Sequence, residues 1–271
     1  MPTSIDKIKV GSKLLLGKYT ASADGEPEPI VWLKATPNCD FISERVLDYI
    51  VFDGKEPNNT GHFKLRQAGN PRYDVSNILS FANGDGEQWY APMHEFDSPP
   101  LGAGTYQRKL TSYDTHQGFL YYFDEYEILS IIKSTKIVNE TEVLSLIRLP
   151  QSHEIIGDDK FPLFKSRGVR PNPTADLISY KSLGFNHTSY ISFWVADTSA
   201  GTEFYALYID RAGRIERQEP FSGGGFRPVC SINPEIIIDE IKDGVYFVVP
   251  FKTGKEELCT NKDLLTLLGV N

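Results

Sequence analysis

Cysteine is scarce in this 271-residue chain: Cys39, Cys230 and Cys259 are the only three, and they lie far apart. No pair has metal-ligand or redox spacing, and an odd count speaks against a disulfide framework. Reduced thiols are expected, with Cys230 as a small core residue. Long apolar runs are also missing, and none approaches the roughly 20 residues of a membrane-spanning helix. The first segment, Met1 to Lys9, is polar and carries no apolar h-region. It predicts a protein made in a cytoplasm without a secretory signal, with no membrane insertion. Positive charge is the third shortage. Lys and Arg number 28 against 36 Asp and Glu, the net charge is −8, and no basic cluster exceeds two residues. Phosphate binding needs a concentrated positive face, so nucleic acid is excluded as the main partner, and so is an anionic membrane surface. Walker and dinucleotide glycine patterns are absent, as is a nucleophile elbow. No cofactor is expected.

What the chain has in quantity is aromatic residues, at 12%, with 17 prolines and 22 glycines. Many turns and short strands follow from that composition. Strands are expected over Val10 to Tyr19, Ile30 to Thr36 and Phe41 to Phe52, together suggesting an antiparallel meander. Asp74 or Ser76 can cap a helix through Ile78, Leu79 and Phe81 that stops at Asn83-Gly84. A second helix is expected from about Asp124 through Ile132. Val143 to Ile147 reads as a short strand, and Gln151 to Ser166 as one or two short helices. Strands return over Tyr190 to Ala196, Phe204 to Asp210, Ile215 to Gln218, Phe226 to Ile232 and Val245 to Phe251. Arg211-Ala212-Gly213 gives a hairpin signal between two of them. Leu264 to Leu268 closes the chain as a short helix capped by Thr260 or Asn261. The class is α+β: short antiparallel sheets, two main helices and long loops.

The longest stretch without periodicity, Asp85 to Gln117, is the first candidate site, because connections of this length are often functional. Trp89 and Tyr90 offer flat faces for sugar stacking, with His94, Asp97 or Gln88 as hydrogen-bond partners and Tyr106 and Tyr113 nearby in sequence. The competing reading is that these aromatics pin the loop to the core. His94, Asp97, Asp114 and His116 fit no tight metal motif, and no metal site is expected. Asp48, Asp53 and Glu56 are the carboxylates from which a glycosidase pair would be drawn, but solvated acids are the expectation on an acidic chain. Asn58, Asn139 and Asn186 begin Asn-x-Thr triplets, to which no weight is given without a secretory signal.

A different kind of candidate is Gly223 to Asn233. Gly225, Phe226, Arg227 and Pro228 read as a structural keystone. Glycine frees the backbone, proline removes a donor, and an arginine among apolar neighbours needs a carboxylate or carbonyl partner.

Taken with Val10-Gly11, Leu16-Gly17-Lys18-Tyr19 and Ile30-Val31-Trp32, with the block Asn70 to Asn83, with Gly118-Phe119-Leu120 and with the following helix carrying Phe123 and Glu127, this ending resembles an uncharacterised bacterial and phage domain family. That family ends in Gly-[Val/Phe]-Arg-Pro-Val and is related to the C-type-lectin-like fold shared with formylglycine-generating enzymes. The resemblance covers roughly residues 8 to 233 and leaves 234–271 as a C-terminal strand-helix extension. The copper-binding cysteine pair of the formylglycine enzymes has no counterpart here. Glu56-Pro57-Asn58 matches the lectin calcium tripeptide by letters but precedes the first helix and lacks its Trp-Asn-Asp partner. The resemblance implies a non-enzymatic binding scaffold. The expectation is a phage or prophage virion component, of the tail or capsid, that forms a homo-oligomer and binds host surface glycan or protein, or neighbouring subunits. The alternatives are a carbohydrate-active enzyme on the same scaffold and an intracellular module that blocks a host defence protein.

Overall fold

In the computed structural model, residues 2–20, 26–59, 68–92, 95–100, 113–156, 191–198 and 204–251 are described. A short strand of two half-buried polar residues, β1 (Thr3–Ser4), is followed by β2 (Lys13–Tyr19) and β3 (Glu28–Lys34), in which buried apolar residues alternate in part with more exposed ones. Then come β4 (Asp40–Ser43), β5 (Asp48–Val51), helix α1 (Asn77–Ala82), helix α2 (Glu125–Ser130) and β6 (Ile131–Ile132). They are followed by β7 (Ser134–Val138), β8 (Thr141–Ser145), β9 (Ile147–Arg148) and the short helix α3 (Ser152–Ile155). The last strands are β10 (Phe193–Thr198), β11 (Ala206–Ile209), β12 (Ile215–Gln218), β13 (Gly223–Phe226), β14 (Val229–Ile232), β15 (Ile237–Lys242) and β16 (Val245–Val248). The class is mixed α+β, mostly sheet.

Nine strands form the main sheet in the order β1-β15-β16-β2-β3-β4-β14-β6, with β9 also paired to β14. Five form a second sheet, β12-β11-β10-β13-β5, and β7 pairs with β8 alone. Most pairs are antiparallel, as expected. Two are parallel, β16 with β2 and β10 with β13, because each of these partners arrives from a distant part of the chain. The 234–271 extension supplies β15 and β16, which lie between β1 and β2 inside the main sheet. Leu264 to Leu268 lies outside the described residues, as does all of Gln151 to Ser166 beyond 156.

Two expected strands are each split. Phe41 to Phe52 becomes β4 and β5, and Phe226 to Ile232 belongs to β13 and β14. β4 pairs with β14 in the main sheet, and β5 pairs with β13 in the second. A two-stranded ribbon therefore passes from one sheet to the other. The bend falls where Pro228 has no N–H to give. Across it, Ser43 N donates to Pro228 O at 3.0 Å and Leu47 N to Phe226 O at 2.9 Å. Hydrogen bonding is thus preserved around a corner that alternation alone does not reveal.

Helix α1 keeps its expected limits, and α2 is shorter than expected. Ser76 is the cap of α1, its Oγ accepting from Leu79 N at 3.4 Å. Asp124 and Glu127 form a capping box for α2. That helix stops at Ser130 because the β-branched Ile131 and Ile132 pair with Ile232 and Ser231 of β14. The hairpin β7–β8 turns through Asn139 and Glu140, whose φ angles are 48° and 68°. Two successive positive-φ residues suit a two-residue hairpin turn. No helix among the described residues is long and apolar enough to cross a membrane.

Candidate functional site

The corner of the ribbon is closed by the Gly-Phe-Arg-Pro run. At Gly224 a Cβ would lie 2.5 Å from the Trp194 indole, and at Gly225 it would lie 2.7 Å from Ser192 O and 2.8 Å from Val46. Only glycine admits those neighbours. Phe226 packs edge-on against Phe81 and Phe119, with ring centroids 5.5 and 5.1 Å away. Arg227 is buried. Its Nε donates to Ser43 O at 3.1 Å and its guanidinium lies 5.2 Å from the Phe193 ring centroid. Of the carboxylate and carbonyl partners expected for this arginine, the carbonyl is found. Burial pushes its pKa down to about 9, against the pull of Glu44. The run Gly225 to Pro228 links β13 of the second sheet to β14 of the main sheet.

The 85–117 connection is anchored by aromatic core residues. Trp89 is 9% exposed and Tyr113 is 2% exposed. Their rings stack at 5.2 Å, Trp89 Nε1 donates to Tyr113 O at 3.1 Å, and the Tyr113 hydroxyl donates to Val51 O at 3.1 Å. Phe81 of α1 meets both rings edge-on. The indole face is therefore occupied by Tyr113. A third anchor is Ser98, whose N–H and hydroxyl both reach Lys55 O. It crosses Gly54 so closely that a Cβ there would lie 2.5 Å from Ser98 O.

Between these anchors the polar groups are less well served. Tyr90 is half-buried with its ring edge-on to Trp89 at 5.9 Å. Its hydroxyl oxygen is buried and has no hydrogen-bond partner among the described residues, and the same holds for Asp114 Oδ1 and His116 Nε2. Burial, with the charges of Asp97, Asp53 and Asp114, pushes the Tyr90 phenol up to about 12. Asp97 is half-buried. His94 and Tyr106 lie outside the described residues. Among the described residues no group of three or more His, Cys, Asp or Glu is placed to hold a metal.

The carboxylates weighed for glycoside chemistry are tied into the scaffold. Asp53 Oδ1 accepts from Asn77 N at 2.9 Å and Oδ2 accepts from Asn70 N at 2.7 Å. These donors favour the ionised form. Burial outweighs them and, with the nearby Asp97 and Glu56 charges, pushes Asp53 up to about 8. Glu56 is fully buried and accepts from Asn59 Nδ2 at 2.5 Å, so the Glu-Pro-Asn tripeptide turns its acid inward. Asp48 accepts from the Tyr19 hydroxyl and from Tyr49 N. Asp53 thus meets Asp97 and Tyr90 electrostatically, a convergence that a separation of 44 positions hides in the sequence.

Sequence reasoning missed the buried pair Arg148–Glu154, joined by bonds of 2.6 and 2.7 Å. It also missed the reach of Glu127 to Gly17 N at 2.8 Å, a burial that pushes Glu127 up to about 7. The spacing Gln151-x-x-Glu154 of the α3 capping box was the available signal for the first. No family model matches the chain, no curated protein matches it, and no solved structure matches it.

Proposed function

We propose that this chain is a non-enzymatic binding protein with a C-type-lectin-like scaffold, serving as a phage or prophage virion component. It binds host surface glycan or protein, or neighbouring subunits, through the 85–117 connection, and it works as a homo-oligomer. The observation that carries the reading is the trio of buried polar atoms in that connection, Tyr90 Oη, Asp114 Oδ1 and His116 Nε2, that have no partner among the described residues. An unmet buried polar atom costs about 1–3 kcal/mol, and a ligand that supplies the missing bonds recovers it. Anchors at Trp89, Ser98 and Tyr113 hold these groups in place before binding, which lowers the entropy lost on association. The virion placement follows from the likeness of Gly225-Phe226-Arg227-Pro228-Val229 to the phage domain family.

A carbohydrate-active enzyme is the second reading, favoured by the buried acid Asp53 beside Asp97 and Glu56. It is the weaker one. Asp53 is 3% exposed and Glu56 is 0% exposed, whereas a general acid must reach the atom it protonates.

Mass spectrometry of particles purified from the producing strain tests the proposal. A symmetric copy number of this chain supports it. Absence from particles, with the protein found in the infected cytoplasm, removes the virion role and favours the module that blocks a host defence protein. Adsorption assays on Tyr90→Phe and Asp97→Asn particles then ask whether the connection makes the contact.

A further inference from the structure

Helix α2 leaves apolar surface uncovered at the point where the described chain runs out. Leu129 is 54% exposed, and Ile132, three residues on, is 41% exposed. Tyr126 shares the Leu129 face by the i, i+3 spacing. Its ring meets that of Phe251 at 6.2 Å, edge-on, and Phe251 is itself 38% exposed. These four residues come from a helix, an edge strand and the end of the last described segment.

We propose that this face of α2 is the docking site for the chain's own residues 252–271. Phe251 already touches Tyr126, so the segment starts at the patch. Its sequence supplies matching apolar groups in Leu264, Leu265, Leu267, Leu268 and Val270. The twelve residues between Phe251 and Leu264 can reach about 40 Å when extended, so distance sets no barrier. The effective concentration of a tethered segment favours it over a free partner with the same chemistry.

The test uses the full chain with a photo-cross-linking residue in place of Leu129, prepared as a mixture of light and heavy isotope labels. Cross-links from position 129 to 252–271 within one label support the proposal. Cross-links that join light to heavy chains assign the face to a second copy and overturn it, as does a failure to cross-link to 252–271. A second measurement is tryptic cleavage at Lys252, Lys255 and Lys262. Leu129→Asp, at an exposed position that leaves the core intact, should speed it by about ten-fold, because cleavage tracks the population of the opened form. Unchanged cleavage contradicts docking.

Discussion

The ribbon that turns between the two sheets and the 85–117 connection are both departures from regular structure, and they are completed differently. At the ribbon corner the backbone stays bonded from Ser43 to Pro228 and from Leu47 to Phe226, and the buried Arg227 finds a carbonyl and an aromatic face. In the connection, aromatic anchors are just as deeply set, yet Tyr90, Asp114 and His116 keep buried polar atoms without partners among the described residues. At the corner the backbone bonds close within the chain, while the described part of the connection is held by aromatic rings and keeps side-chain polar atoms unmet. On the function proposed above, that difference is what would set a binding surface apart from a structural corner.

The comparison is most easily broken at the anchors. Trp89→Ala should destabilise the protein by about 3–5 kcal/mol, read by urea unfolding, because it removes an indole stacked on Tyr113 in the core. A loss below about 1 kcal/mol would show that the connection is not anchored there. The next effect is on pH. Asp53 is pushed up to about 8 from an unfolded value of 3.8, so the folded chain keeps a proton that the unfolded chain has released between those values. Stability from this group is full below about 3.8 and falls as pH rises through about 8, by a few kcal/mol in all. Asp53→Asn should flatten that slope in a series of unfolding curves, and a slope that persists unchanged would point to another group. At the corner, Gly224→Ala forces a Cβ against the Trp194 indole and should cost about 1–3 kcal/mol. A neutral result by thermal melting would mean that the indole can retreat and the corner is looser than described.

Much of the fold was legible in the chain, and the failures have physical causes. Apolar β-forming runs located β2 and β3, the Arg211-Ala212-Gly213 turn located the β11–β12 hairpin, and Ser76 and Asp124 announced their helices. Alternation is blind to which sheet a strand joins, so the split of Phe41 to Phe52 was invisible. Pro228 did mark the matching split on the partner strand. The candidate site was half legible. Trp89 and Tyr113 stood out as aromatics, but whether an indole faces solvent or a neighbouring ring is decided by tertiary packing. The approach of Asp97 to Asp53 depends on Ser98 crossing Gly54, a contact between distant segments that no local pattern encodes.

The smallest predicted effect tests the central claim most directly. Tyr90→Phe deletes one hydroxyl whose oxygen is buried without a partner among the described residues. Removing an unmet polar group should leave stability unchanged or raise it by up to about 1 kcal/mol. The measurement is equilibrium urea unfolding of Tyr90→Phe beside the natural chain, with the m-value checked for constancy. An equal or higher midpoint is the result expected of a connection kept incomplete for a ligand. A drop of 1 kcal/mol or more would show that the hydroxyl is already satisfied within the chain and would contradict the binding-surface account of 85–117.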